Sequence, residues 1–379
     1  MSLAVCMIAC NEAARLPRAL HSISASAGAD QVIVADTGST DQTPALARNL
    51  GATVIHIPWQ ESFSLARKAS FAPATTDWIL WLDADETLDA QAQAPLHAAM
   101  QHPDIAAHPL IIRDHSGPGG EPRFTDVLLP RLFRRQFTHR LTGRIHEHFD
   151  PPLIPAFSPD NQTHRTNILI HHDGYTPELQ TAKLRRNAHL LELEMRDHPE
   201  SVLTRVRHAR TLFDLSDPGA AQVLTDAATQ LGTAAQAAHS SNPDYMDLLE
   251  ALIVRVTRKE VSCDLSLEQL HELSARWFPA SAQLLWLRAN WHYRAARHQQ
   301  AAQAMETLVR MGVDGSYDKS RPFDCRIVAQ EAVLNLGICF CQLRRWADAR
   351  NCFSSLLSDP AYSAAARQNL ALLAHAGGP

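Results

Sequence analysis

The segment WILWLDADE at residues 78–86 decides the fold that we expect for this chain of 379 residues. Its run of apolar residues, bounded by polar ones, is typical of a strand buried on both faces of a parallel sheet. Asp83 and Asp85 follow as the chain leaves that strand, where they can present oxygens to a nucleotide and to a hard cation. Taken alone, the D-x-D pattern is equally compatible with a solvated turn that caps a helix.

Strand and helix signals alternate on both sides of this segment. Runs rich in branched and aromatic residues predict strands at 3–9, 31–36, 53–57 and 78–83, and the stretches between them predict helices at about 12–27, 41–50 and 62–74. This alternation predicts a doubly wound α/β sheet, which binds ligands at the carboxyl ends of its strands. Asp36 ends the second strand, so we expect its carboxylate in the same crevice, where it can accept hydrogen bonds from a base or ribose.

The remainder of the chain divides into a turn-rich middle and a helical end. From about 104 to 176, glycine and proline clusters separate strand-like runs at 109–113, 127–133 and 166–171. From Pro177 onward strand signals nearly vanish, and Leu184, Ala188 and Leu191 recur on one helical face. The run LGICF at 336–340, with apolar residues at 349 and 353, resembles a tetratricopeptide repeat. We therefore predict an α/β domain at 1–176 and an all-α, tetratricopeptide-like helical domain at 177–379.

Composition and charge disfavour several classes of protein. The net charge of −5 supplies no general basic field, so we expect no nucleic-acid partner. No apolar run reaches the ~18–20 residues that cross a bilayer, so we expect no transmembrane segment. The first residues also lack the pattern of a signal peptide. Seven cysteines, an odd number without a C-x-x-C pair, indicate reduced thiols and a cytoplasmic location.

Three motifs near the start of the chain resemble family 2 glycosyltransferases of GT-A fold. They are MIACNE at 7–12, VADTGSTD at 34–41 and DWILWLDADE at 77–86. Two more, GRIHE at 143–147 and HDGY at 172–175, are similar to the branch that joins this fold to tetratricopeptide-like helices. That branch includes the peptide S-glycosyltransferases of glycocin biosynthesis. The resemblance implies a GT-A, Rossmann-like catalytic domain followed by the helical domain.

The resemblance also implies where the donor and a metal would bind. Asp83 would contact the ribose or sugar, and Asp85 would bind Mn²⁺ or Mg²⁺. His172 would complete the metal site, with His171 as the alternative. The residues expected to bind the nucleotide sugar are Ala9, Asn11, Glu12, Asp36, Ser39, Arg67, Asp83 and Ala84.

A catalytic base and a diphosphate ligand follow from the same resemblance. Glu147 lies where these inverting enzymes keep a carboxylate base, although a structural ion pair is an equal alternative and Asp150 and Asp126 compete for the role. Arg67 would offset the charge of the diphosphate. The family often has Arg-Asn where this chain has Arg67-Lys68, which leaves the role of that asparagine unassigned.

Together, these expectations predict a metal-dependent hexosyltransferase that moves a sugar from a nucleotide sugar to a peptide or protein. The expected nucleotide is UDP. The alternative for the acceptor is a lipopolysaccharide or another saccharide. The alternative to an enzyme is a helical-repeat scaffold with a degenerate transferase domain. Such repeats also mediate self-association, which allows a homodimer. An NAD-dependent oxidoreductase is disfavoured because residues 9–14 contain no glycine where G-x-G-x-x-G is needed. The run HEH at 146–148 likewise does not match the H-E-x-x-H of zinc hydrolases.

Overall fold

The chain forms two compact units. The computed structural model describes residues 1–114, 125–154, 166–172, 177–240, 242–318, 321 and 323–375. The first unit comprises Met1–Pro199 with Lys319–Pro322, and the second comprises Glu200–Asp318 with Phe323–Pro379. The sheet lies in the first unit, and the second is helical. The division falls after residue 199, whereas the sequence analysis divided the chain after residue 176.

The first unit is built on a mixed sheet. Its strands are β1 (Leu3–Ala9), β2 (Gln31–Asp36), β3 (Thr53–His56), β4 (Trp78–Trp81), β5 (Glu86–Leu88), β6 (Ala107–Asp114), β7 (Thr125–Arg134), β8 (Leu141–Thr142), β9 (His148–Phe149) and β10 (Leu169–His172). Eight of them form one sheet in the order β3-β2-β1-β4-β7-β6-β10-β5, while β8 pairs with β9. The strands of four or more residues were predicted from the sequence, whereas the short strands β5, β8 and β9 were not.

Only the first half of the sheet has the predicted parallel arrangement. Strands β1 to β4 are parallel, as are β6 and β10. In contrast, β7 runs antiparallel to β4 and β6, and β5 runs antiparallel to β10. About ten residues separate β6 from β7, which is fewer than the dozen or more that a parallel crossover needs. The β6–β7 pair must therefore be antiparallel.

Helices cover both faces of the sheet. They are α1 (Leu16–Ser26), α2 (Thr43–Asn49), α3 (Phe63–Phe71), α4 (Gln93–Met100) and α5 (Pro177–Asp197), with a 3-10 helix at Arg135–Arg140. Alternate residues of β1 point to opposite faces, so Leu3 and Val5 pack in the core with α1 and α4, whereas Ala4 and Cys6 pack in the core with the end of α3. The parallel strands consequently end together, with Ala9 paired to Asp36.

Helix α5 packs within the first unit. Leu190 and Leu191 are buried in a small cluster with Ile145. The backbone N–H of Arg144 donates to the Glu194 carboxylate at 2.6 Å, and the Arg144 guanidinium donates to Asp197 at 2.6 Å. These contacts explain why this helix belongs with the sheet although its sequence pattern resembles that of the helices after it.

The second unit consists of paired helices. They are α6 (Val202–Asp214), α7 (Ala220–Ala228), α8 (Leu231–Ala234), α9 (Tyr245–Thr257), α10 (Leu267–Trp277), α11 (Ala282–Arg294), α12 (His298–Asp314), α13 (Gln330–Gln342), α14 (Trp346–Ser355) and α15 (Ser363–His375), with a 3-10 helix at Cys325–Val328. Gly337 of α13 faces Phe353 of α14 so closely that an added Cβ would lie 2.6 Å from the ring. This is the close helix approach that the tetratricopeptide-like motif predicts. None of the helices in the described ranges is long and apolar enough to span a membrane.

Candidate active site

Arg67 joins two carboxylates at the carboxyl ends of the strands. It lies on α3 and is only 6% exposed. Its NH1 donates to Asp83 Oδ1 at 2.6 Å, and its Nε donates to Glu147 Oε1 at 2.6 Å. The guanidinium therefore fixes Asp83 and Glu147 relative to each other. An ion pair was the alternative role predicted for Glu147, but Arg67 was not predicted as its partner. The assignment of Arg67 to the diphosphate stays a prediction.

The loop that carries Glu147 is fixed against α3. It joins β8 to β9, and Gly143 begins it with φ +94°, a conformation that glycine adopts without strain. The carbonyl of Arg144 accepts a hydrogen bond from the Phe63 N–H at 2.8 Å. Because Arg67 lies one turn further along α3, this backbone contact brings Arg67 beside Glu147.

Trp81 forms a platform for two arginines. The Arg67 Cζ lies 3.9 Å from the centre of the Trp81 ring, and the Arg131 Cζ lies 4.4 Å from it, so both make cation–π contacts. The indole N–H donates to Asp83 Oδ1 at 3.2 Å, and Arg131 NH2 approaches Asp83 Oδ2 at 3.3 Å. Burial raises the pKa of Asp83, but the charges of both arginines and the hydrogen bonds from Arg67 and Trp81 outweigh it and hold the pKa well below its usual value.

Glu86 is a second buried partner of Arg131. It accepts from Arg131 NH2 at 2.8 Å and from the Asp83 backbone N–H at 2.8 Å. Burial raises the pKa of Glu86 to about 7, although the charge of Arg131 opposes the rise. The sequence analysis missed both residues. One signal was present, since Arg131 is a single charged residue within the apolar run of β7.

Asp85 and His172 lie together as the sequence analysis predicted. Asp85 Oδ2 is 3.5 Å from His172 Nε2, and His172 Nδ1 is 3.8 Å from Asp114 Oδ2. The hydrogen bond that His172 donates to Asp85 raises the pKa of His172. Burial raises the pKa of Asp85, but that hydrogen bond and the charges of His172 and Lys183 leave it below its usual value. His171, the alternative, instead lies 3.4 Å from Asp89.

The Asp85–His172 pair fits a divalent cation. Two ligands of Mg²⁺ at about 2.1 Å and a right angle lie roughly 3 Å apart, close to the 3.5 Å between Asp85 Oδ2 and His172 Nε2. Asp114 can orient the imidazole through its other nitrogen. No cluster of three or more side-chain ligands occurs among the described residues. A cation held by this pair would need its remaining ligands from phosphate oxygens and water, and the metal site stays a prediction.

Asp36 lies in a separate hydrogen-bonded chain at the end of β2. Its Oδ1 accepts from the Ser39 N–H at 3.2 Å, and its Oδ2 lies 3.0 Å from His56 Nδ1. Arg48 NH2 lies 2.7 Å from His56 Nε2. Because Arg48 can only donate, a neutral His56 with its hydrogen on Nδ1 satisfies both neighbours. Asp36 is thereby held in one orientation at the predicted nucleoside end of the crevice.

The turn after β1 is joined to the turn after β2. The Asn11 N–H donates to Ser39 Oγ at 2.9 Å, and Asn11 Oδ1 accepts from the Thr40 N–H at 2.8 Å. Glu12 pairs with Arg15 at 2.6 Å. These contacts give Asn11, Glu12 and Ser39 structural partners near Asp36. The other two residues predicted to bind the nucleotide sugar are small and buried, namely Ala9 and Ala84.

Of the two competing bases, only Asp150 can be compared with Glu147. Asp150 is exposed, and its backbone N–H donates to the Arg140 carbonyl at 2.9 Å. The side chain of Asp126 and the residues 173–176 of the HDGY motif lie outside the described residues. Glu147 is therefore the candidate base that the described residues place beside Asp83.

Three comparisons place the chain among known proteins. Residues 4–169 match the sequence model of the family Glycosyl transferase family 2. A TPR repeat-containing protein of Synechococcus elongatus is 31% identical over 280 residues, which cover 72% of this chain and 68% of that protein. The glycosyltransferase SunS of Bacillus subtilis is 25% identical over 199 residues, which cover 52% of this chain and 45% of SunS.

The solved structure of TarS residues 1–349 from S. aureus, in complex with UDP, was also compared with this chain. The superposition has a TM-score of 0.35 and 14% sequence identity, and it covers 83% of this chain and 92% of the TarS chain. The family assignment rests on the sequence matches, and the residues matched by the family model include most strands of the sheet. This chain belongs to glycosyl transferase family 2, with a GT-A catalytic domain and a tetratricopeptide-like helical domain.

Proposed function

We propose that the chain is a metal-dependent, inverting hexosyltransferase that moves a sugar from a nucleotide sugar, with UDP as the nucleotide, to a peptide or protein. One observation carries the proposal. Arg67 holds Asp83 and Glu147 together at the carboxyl ends of the strands, and the chain continues from Asp83 into the Asp85–His172 pair. This arrangement supplies a donor side and an acceptor side within one crevice.

The donor side would use residues on neighbouring strand ends. Asp36, oriented by Ser39 and His56, would accept hydrogen bonds from the nucleoside. Asp83 would face the ribose or sugar. A divalent cation held by Asp85 and His172 would supply positive charge that offsets the charge developing on the diphosphate.

The acceptor side would use Glu147. Its Oε1 is engaged by Arg67, and no described residue donates a hydrogen bond to its Oε2, so Oε2 is the oxygen that would take the proton. The acceptor atom attacks the anomeric carbon as the bond from that carbon to the diphosphate breaks. The diphosphate leaves with the electron pair, and the acceptor proton passes to Glu147. Attack on the face opposite the leaving group inverts the configuration. Positioning and electrostatic stabilisation would provide most of the rate enhancement.

The helical unit supports a peptide or protein acceptor. Stacked helix pairs form extended binding surfaces in many repeat proteins, and the Gly337–Phe353 contact marks such a pair here. The resemblance to peptide S-glycosyltransferases favours the same class. A saccharide acceptor is the competing outcome of the test below.

The first experiment is a thermal-shift screen of the full chain with UDP-glucose, UDP-GlcNAc and GDP-mannose, with and without Mn²⁺. A ligand present at 100 times its Kd stabilises the folded state by about 2.7 kcal/mol. We expect a UDP-sugar to raise the melting temperature only when Mn²⁺ is present. Positive donors then enter transfer assays with peptide and saccharide acceptors. The proposal is rejected if no UDP-sugar binds, is hydrolysed or is transferred in the presence of Mn²⁺.

Two variants separate an enzyme from a scaffold. Asp85→Ala should lose Mn²⁺-dependent donor binding, whereas Asp89→Asn, which changes a nearby carboxylate bonded to His171, should retain it. Glu147→Gln should retain donor binding and lose transfer by roughly 10²–10⁴-fold, the usual contribution of general base catalysis. Unchanged transfer in Glu147→Gln would remove that residue from the mechanism.

A further inference from the structure

Helix α5 brings two cationic side chains to the crevice. Lys183 Nζ lies 3.6 Å from Asp85 Oδ2, the same oxygen that faces His172. Arg186 follows three residues later, and residues three apart lie on one helical face. Partial burial lowers the pKa of Arg186, while the charges of Asp85 and Glu147 oppose that change. The side chain of Arg186 is exposed to solvent, and its guanidinium lies 4.9 Å from the Phe63 ring at the start of α3.

The other cations of the site are already neutralised by carboxylates. Arg67 is paired with Asp83 and Glu147, and Arg131 is paired with Asp83 and Glu86. Two carboxylates, Asp83 and Glu147, thus offset the charges of the two guanidinium groups, and Glu86 is a third acidic group beside Arg131. A donor diphosphate that enters this crevice needs positive charge from elsewhere, because like charges repel strongly where solvent is excluded.

Arg186 is suited to supply part of that charge. Its guanidinium lies 4.9 Å from the Phe63 ring and donates to the side-chain amide oxygen of Asn187. These two partners among the described residues are neutral groups. Further along α5, Glu194 and Asp197 bind Arg144 of the loop that carries Glu147. The helix is therefore fixed to the site on which Lys183 and Arg186 would act.

We propose that Lys183 and Arg186 form a cationic clamp for the donor diphosphate, and that Lys183 holds Asp85 until a divalent cation takes its place. This inference rests on the proposed function. A cation held by Asp85 and His172 would repel the Lys183 ammonium from Asp85, and Lys183 would then be able to donate to a phosphate oxygen. Arg186 donates to the same diphosphate from the next turn of the helix.

The test measures binding of Mn²⁺ alone and of UDP with saturating Mn²⁺ to the full chain by calorimetry. Lys183→Met should bind Mn²⁺ alone more tightly, by at least about threefold, because a competing cation is removed. The same variant should bind UDP with Mn²⁺ roughly tenfold more weakly, the usual consequence of losing a charge-assisted hydrogen bond. Arg186→Met should leave Mn²⁺ binding unchanged and weaken UDP binding by a similar factor.

Two controls make the test specific. Arg185→Met removes an exposed charge of the same sign from the same helix and should change neither affinity by more than about twofold. Lys183→Arg keeps the charge and should retain UDP binding. Each variant is compared with wild type for its melting temperature without ligand, so that a folding defect is recognised.

The outcomes distinguish the clamp from the proposed function. If wild type binds UDP with Mn²⁺ and both methionine variants at 183 and 186 bind it equally well, the clamp is refuted and the transferase proposal stands. An equal loss in Arg185→Met would also refute the clamp, since the general charge of α5 would then be responsible. If wild type binds neither Mn²⁺ nor UDP, the proposed function fails together with the inference.

Discussion

Replacing Arg67 by methionine removes the cation that joins Asp83 to Glu147, and we expect a large loss of stability in the first unit. Arg67 is 6% exposed and makes a 2.6 Å contact with each carboxylate. Arg131 NH2 would remain 3.3 Å from Asp83, but no other described cation bonds Glu147. Removing one partner of a buried ion pair costs about 3–5 kcal/mol, because an uncompensated charge is left behind.

The double variant Arg67→Met/Glu147→Gln gives the sharper measurement. A neutral glutamine does not need the cation, so the double variant should recover about 2 kcal/mol relative to the sum of the single changes. The assay is urea unfolding of the full chain followed by circular dichroism, with one transition fitted for each unit. Arg185→Met is the control and should change stability by less than about 0.5 kcal/mol. A loss below about 1 kcal/mol in Arg67→Met, or strict additivity in the cycle, would refute the bridging role of Arg67.

Two further predictions concern pH and helix packing. Burial raises the folded-state pKa of Glu86 from 4.5 to about 7, so the free energy of unfolding should fall by about 3 kcal/mol as pH rises from 4.5 through 7. Urea unfolding measured across this pH range should show a weaker fall in Glu86→Gln than in wild type. Equal dependence of the unfolding free energy on pH in the two proteins would contradict the assignment. Gly337→Ala should destabilise the helical unit by about 1–3 kcal/mol because its Cβ would meet Phe353 at 2.6 Å. Gly232→Ala, which has open space around its Cβ, is the matched control in the same melting experiment.

Sequence signals were sufficient where structure depends on neighbours along the chain. The predicted bounds of β1 and β2 agree with the structure, and α3 begins after Ser62, whose side chain accepts from the Leu65 N–H as an N-cap should. The closeness of Asp85 and His172 was also expected, but from the resemblance to a family rather than from any local pattern, and their role as metal ligands stays a prediction.

Contacts between distant residues were not predictable in the same way. Arg67 and Glu147 are 80 positions apart, and Arg131 and Glu86 are 45 apart. No periodicity within a segment specifies which buried arginine meets which buried carboxylate. Helix α5 illustrates the same limit, since its amphipathic pattern resembles that of α6 and the later helices, while Arg144 and Ile145 determine which unit it joins.

The two acids of the D-x-D motif differ in how firmly they are held. Asp83 accepts a 2.6 Å hydrogen bond from Arg67 and a 3.2 Å hydrogen bond from Trp81, and it faces a second arginine, so its position and its charge are fixed before any ligand arrives. Asp85 has weaker partners, with His172 and Lys183 at 3.5 and 3.6 Å from one oxygen. Exchange of partners costs least where the existing contacts are longest. Under the proposed function, Asp85 is therefore the acid that would gain and lose a cation, whereas Asp83 would hold the base and the donor in fixed positions.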